Sequence, residues 1–146
     1  MNSLTYHKLF LSSFSIMILT MIGCGNGAPD DVPDLVPVSG KVTMDGKPLS
    51  DAQVEFEFKG EGGGLSLGKT DSKGNYSLQF GSGTHAGAKV GEHLVRIKTE
   101  WSGTDEQGND VKIEETVPEK YNWNSELTVT VTEEKSSGYD FELTSE

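Results

Sequence analysis

Ala52-Gln53-Val54-Glu55-Phe56-Glu57-Phe58 alternates apolar and polar residues without a break. A period of two puts every second side chain on the same face of an extended strand. Ala52, Val54, Phe56 and Phe58 would therefore share a dry face, with Gln53, Glu55 and Glu57 in water. The period recurs in both directions from this stretch. Upstream, Val36, Val38, Val42 and Met44 fall on one face, with Gly40 between them. Downstream come Leu65 and Leu67, then Tyr76, Leu78 and Phe80, then Val95 and Ile97 with Leu94 opposite. Val111, Ile113 and Val117 form a further set, followed by Leu127, Val129 and Val131, and finally Tyr139, Phe141 and Leu143. Seven or eight short strands with one apolar face each can bury those faces only if two sheets pack together. The expected fold is an all-β sandwich.

The punctuation between the runs agrees with strands. Asp45-Gly46-Lys47-Pro48 and Asp71-Ser72-Lys73-Gly74-Asn75 place Gly where positive φ is easy and Asp where its carboxylate can bond the local backbone. Gly60 to Gly64 and Gly81 to Gly91 read as looser loops. Outside the first residues no stretch of ten shows a helical period.

Residues 1–23 have the order of a secretory signal peptide, with Lys8 in a short polar start and an apolar run from Leu9 to Ile22. At 14 residues that run falls short of the ~20 that cross a bilayer as a helix. The chain's single cysteine, Cys24, follows directly and can form no internal disulfide. Residues 24–35 are rich in Pro and Asp and read as a semi-extended tether, reaching roughly 40 Å at full stretch. Residues 36–146 are left as one domain, long enough for a real core. The formal net charge is −11, and loss of a leader whose one charged residue is Lys8 makes it −12. That balance argues against nucleic-acid partners and against adsorption of the protein surface to anionic lipid.

Met21-Ile22-Gly23-Cys24 resembles a bacterial lipobox, with Met21 standing where Leu is usual. The resemblance implies that the Cys24 thiol carries a diacylglyceryl group, that the leader is cut before it, and that two or three acyl chains make a stable anchor. The domain itself is similar to carboxypeptidase regulatory-like domains. The opening Val38-Ser39-Gly40-Lys41-Val42-Thr43, Asp45-Gly46-Lys47-Pro48-Leu49 and Ala52-x-Val54-x-Phe56 carry this likeness. So do Thr70-Asp71-Ser72-Lys73-Gly74-Asn75-Tyr76-Ser77-Leu78 and Gly91-Glu92-His93-Leu94-Val95-Arg96-Ile97. Val117-Pro118-Glu119-Lys120-Tyr121-Asn122, Leu127 to Val131 and Tyr139 to Leu143 extend it to the end. With the lipobox, the layout looks like the small carboxypeptidase regulatory-like lipoproteins of planctomycete bacteria. The resemblance implies a single Ig-like or transthyretin-like sandwich at the cell envelope, on the inner or outer membrane, facing the periplasm or the exterior. It implies no activity. Within it, Asp71 and Gly74 should form a tight turn, Tyr76, Leu78, Val95 and Ile97 should be core, and the Tyr121 hydroxyl should reach a backbone carbonyl.

The residues suggest no catalytic set. His85 lies in a Gly-rich loop and His93 opens a strand, and neither stands in a zinc-hydrolase spacing. Ser82 lacks the frame of a nucleophile elbow, and Gly60 to Gly64 lacks the Lys-Ser/Thr of a phosphate loop. Asp105 to Asp110 fails the spacing of a calcium-binding hand and reads as a solvated hairpin tip. No catalytic residue, cofactor or metal is expected. The expected function is a non-enzymatic structural or interaction module, anchored to the membrane through lipid on Cys24 and meeting an envelope protein or glycan. The alternative is a glycan-binding module using Trp101 or Trp123, with Asn122 and Asn124 as polar neighbours.

Overall fold

The computed structural model describes residues 33–83, 85–104 and 107–146. The signal peptide, Cys24 and most of the tether lie outside the described residues. The strands are β1 (Leu35–Val36), β2 (Ser39–Met44), β3 (Lys47–Pro48), β4 (Gln53–Phe58), β5 (Leu65–Lys69), β6 (Asn75–Ser77) and β7 (Gln79–Phe80). They continue with β8 (His85–Ala86), β9 (Ala88–Lys89), β10 (Gly91–Lys98), β11 (Trp101–Thr104), β12 (Asp110–Ile113), β13 (Thr128–Val131) and β14 (Phe141–Leu143). Among the described residues one 3₁₀ turn, Glu119–Tyr121, interrupts them.

One antiparallel sheet runs β13-β10-β4-β5-β7-β8. The second is built on β2, which pairs in parallel with β14 and antiparallel with β3 and β6. The chain is an all-β sandwich, as the alternation requires. The core between the sheets centres on Phe56, fully buried, whose ring centroid lies 5.7 Å from His93, 6.1 Å from Phe141 and 6.4 Å from both Tyr76 and Tyr139. Val38, Val42, Val54, Leu78, Val95, Ile97, Val131 and Leu143 close around it. The four residues expected in the core, Tyr76, Leu78, Val95 and Ile97, are all there.

Two local devices shape the second sheet. Asp71 Oδ1 accepts the N–H groups of Lys73 (2.8 Å) and Asn75 (2.9 Å), while Gly74 turns the chain at φ 80°. At Gly40 a Cβ would collide with the carbonyl of Tyr139, the same carbonyl that accepts the Tyr76 hydroxyl at 2.6 Å. Gly40 is therefore required by close backbone approach. It lets β2, β6 and the chain entering β14 close on one buried acceptor within the second sheet.

Three strand readings need correction. In β5 the leucines point outward: Leu65 is exposed and Leu67 only partly covered, while Ser66 and Thr70 are buried. Register explains the reversal. Ser66 lies opposite Phe56 and Gly68 opposite Val54, so the small residues share the inward face. A Cβ at Gly68 would lie 2.7 Å from the Ser77 carbonyl, leaving no room there for a leucine. The run Tyr76, Leu78, Phe80 is not one strand either. Before Leu78 the chain pairs with β2, and after it with β5, so the strand changes sheets at that buried residue. Such breaks are why the expected seven or eight strands appear as fourteen segments among the described residues. Lastly, Val111 and Ile113 belong to a hairpin, β11–β12, that pairs with neither sheet. Val117 alone of that set is core.

Candidate functional site

The outward face of the larger sheet is a lattice of charge. Lys98 bonds Glu55 at 2.5 Å, Arg96 bonds Glu57 at 2.7 Å, and Lys69 bonds Asp51 at 2.8 Å across the turn that precedes β4. Arg96 holds the Glu57 carboxyl below the usual carboxylate range, with Lys59 adding to the effect against the cost of burial. On an exposed sheet such pairs contribute modestly, about 0–1 kcal/mol each. Their positions are set by strand alternation, since Gln53, Glu55 and Glu57 must face out when Val54 and Phe56 face in.

Over the end of this face stands the β11–β12 hairpin. Trp101 pairs with Ile113 and Gly103 with Val111, so these four residues share one hairpin face. A Cβ on Gly103 would strike the Trp101 ring, which therefore lies along the strand over the bare glycine. Trp101, Ile113, Asp51, Gln53, Lys69, Lys98, Thr99 and Glu100 line a cleft of about 360 Å³. That is near the small end of ligand sites, which run from about 300 to 1,000 Å³. Trp101 is 47% exposed and Ile113 45%.

Glu115 fastens the base of the hairpin. Its carboxylate accepts the Thr99 hydroxyl at 2.7 Å, the Val117 N–H at 2.7 Å and the Thr99 N–H at 3.0 Å, with the Glu100 N–H at 3.3 Å. Burial alone would raise its pKa. The converging donors outweigh burial and hold it below the usual value. Both legs of the hairpin are thus tied to one half-buried carboxylate, and Trp101 follows two residues after Thr99.

Trp123 lies in the turn after the 3₁₀ segment and is 65% exposed. The Lys98 ammonium sits 5.5 Å from its ring centroid. Lys98 therefore belongs both to the cleft under Trp101 and to the surface beside Trp123. Of the asparagines flanking Trp123, Asn124 is exposed and Asn122 is not. Asn122 is fully buried, donating to the Val117 carbonyl at 2.8 Å and accepting the Trp123 N–H at 2.5 Å. Asn124 donates to Glu119 at 2.9 Å. The polar groups lining the cleft come from β4, β5 and β10 and from Asp51, Thr99 and Glu100 beside them; strand alternation signalled Gln53 and Lys98 as outward, but not Lys69.

The remaining sequence candidates are dispersed. His93 is buried between Phe56 and Phe58, with ring centroids 5.7 and 5.3 Å away, and its Nδ1 meets the Gly91 carbonyl at 3.1 Å. A carbonyl can only accept, so Nδ1 carries the proton. Burial, with Lys89 nearby, holds this imidazole below its ordinary pKa against the opposing pull of Gly91. His85 sits on β8 at the sheet's edge, four strand spacings from β10. At about 4.8 Å per strand the two histidines stand nearly 20 Å apart across the sheet. The Tyr121 hydroxyl meets the N–H of Thr144 at 3.3 Å and its hydroxyl at 3.2 Å, not the carbonyl that was expected. Cys24 lies outside the described residues.

Comparison with known proteins returns no matching family model and no matching curated protein. Among solved structures, a 9R-lipoxygenase from Cyanothece PCC8801 aligns over 75% of this chain at 16% identity and a TM-score of 0.41. The chain spans 16% of that protein's length, and at this level of likeness nothing about activity transfers.

Proposed function

We propose that this chain is a non-enzymatic, lipid-anchored interaction module of the cell envelope, of the kind its carboxypeptidase regulatory-like motifs resemble. Acyl chains on Cys24 hold it to the membrane, residues 24–35 act as tether, and the sandwich displays the outer face of its larger sheet. The observation that carries the interaction reading is the exposure of Trp101, Ile113 and Trp123 around Lys98. Large apolar groups left open in one place on a charged face are unusual for a surface that only has to stay soluble. The anchor is supported by the leader that ends at the chain's single cysteine. Labelled fatty acid should enter the wild-type protein and not the Cys24→Ser variant; equal labelling of the two would sink the anchor. Envelope partners should co-purify with the anchored protein and be lost on the double change Trp101→Ala, Trp123→Ala. Retained partners would move the contact to another surface.

A second reading is favoured by the same cleft: the partner is a glycan. Exposed indoles beside hydrogen-bonding side chains offer a sugar ring an apolar face to stack on and groups to bond its hydroxyls. Quenching of tryptophan emission by polysaccharide in the wild-type protein, absent in the double variant, is the measurement that tests it.

A further inference from the structure

The cations of the cleft are already paired, and this bears on which ligand suits it. Lys98 is bound to Glu55 at 2.5 Å, and the side chains are only 23% and 12% exposed. Lys69 is bound to Asp51 at 2.8 Å. The lining side chains carry two acids, Asp51 and Glu100, against two bases, Lys69 and Lys98. An anionic ligand would have to displace a carboxylate from one of these pairs, and would do so on a chain of net charge −11. A cationic ligand would face the ammonium groups at the same distance. A hydroxyl suits the arrangement as it stands, because it donates to the carboxylate and accepts from the ammonium at once. Gln53 adds an amide of both characters, although its Nε2 is engaged by Glu55 at 2.8 Å.

Resting on the glycan reading, we propose that the site takes an uncharged glycan that crosses Lys98, with one sugar ring on Trp101 in the cleft and another on Trp123. Lys98 is the shared element. It lines the cleft under the first indole and places its ammonium 5.5 Å from the centroid of the second. Its position is fixed from both sides, by strand β10 and by Glu55. Trp101 is set by Gly103 beneath it and by the Glu115 clamp on Thr99, two residues before it on the chain.

The test uses the mature lipidated protein in detergent micelles, with tryptophan emission and calorimetric titration as readouts. The probes are uncharged gluco-, manno-, xylo- and galacto-oligosaccharides of one to six units, beside oligogalacturonate and heparin as anionic counterparts. At least one uncharged series should bind, with affinity rising as the chain lengthens past one unit. Trp101→Ala and Trp123→Ala should each weaken the longer oligosaccharides by about tenfold or more, as removal of an aromatic anchor does. Both rings are exposed, so unchanged circular dichroism and melting temperature serve as the folding control. Tighter binding of the anionic probes, weakening with salt, would overturn the uncharged ligand while leaving a glycan site. Loss of binding with Trp101→Ala but not with Trp123→Ala would overturn the crossing of Lys98. Failure of every probe to alter emission or release heat would overturn the glycan reading and this inference with it.

Discussion

Two antiparallel ladders in this protein obey the same alternation and put it to opposite use. In β4–β10, Val54, Phe56, Val95 and Ile97 are all completely buried against the second sheet. In β11–β12, Trp101 and Ile113 stand opposite each other with nearly half of each side chain in solvent. Burial of one large aliphatic or aromatic side chain stabilises by about 1.5–3 kcal/mol, so the first ladder holds the fold together. A lone two-stranded hairpin is marginal in water. The second ladder keeps its place through the Glu115 clamp, and its apolar face contributes little to the fold. Apolar surface that stability does not use is available for recognition.

The contrast can be broken most forcefully at Phe56. Phe56→Ala should cost about 3–5 kcal/mol in urea unfolding, since four aromatic partners lose their common neighbour. A loss below 1 kcal/mol would mean the core is not organised around that ring. Gly40→Ala comes next, at about 1–3 kcal/mol, because the new methyl meets the backbone carbonyl of Tyr139 rather than a side chain that can swing away. Glu115→Gln should lower global stability by about 1–2 kcal/mol. Its larger effect should be local, with faster amide exchange in β11 and β12 and unchanged exchange in β4 and β10. Equal protection of the hairpin in variant and wild type would show that something other than the clamp holds it.

Acid sharpens the same division by a smaller step. The folded state holds the His93 pKa below its unfolded value of about 6.5, so the unfolded chain takes up the proton first. Stability should be flat above about pH 6.5 and fall as pH drops through the depressed folded value. His93→Gln should remove that first decline. The carboxylates Glu115, Asp71, Asp45 and Glu57 are also held below their ordinary values, and their contributions should fade in a second window, below about pH 4.5. A midpoint in urea that does not change between pH 7 and pH 5 would contradict the buried histidine. The smallest effect belongs to the open rings. Trp101→Ala and Trp123→Ala should change unfolding free energy by no more than about 0.5 kcal/mol. A large loss would make them part of the fold and leave the cleft without its anchors.

Strand alternation made much of the sandwich legible. β2, β4, β10, β13 and the inward residues of β14 have the faces their sequence shows, and the Asp71–Gly74 turn forms as its residue types demand. These are local properties, set by a period of two and by the φ that a glycine or an aspartate allows. The leucines of β5 misled because their period was correct and their phase was not. Phase depends on which strand lies opposite and how much space the other sheet leaves, and Ser66 and Gly68 fit where Leu65 and Leu67 could not. The switch of sheets at Leu78 was hidden for the same reason.

The site followed the same rule. Trp101 and Trp123 could be picked out as unusual residues in irregular segments, while of the asparagines beside Trp123 the buried Asn122 is turned to the backbone. Lys98 stands just before Trp101 in the chain, but Gln53, Asp51 and Lys69 sit tens of residues away, and only the pairing of β4, β5 and β10 places them beside the indoles. The sequence by itself determined an all-β chain, its turns and the apolar faces that must be covered. Tertiary structure alone decided which small residues go inside, where the hairpin stands and which charges meet the aromatic rings. Alternation acts between neighbours along the chain, whereas a cleft is made by contacts between strands.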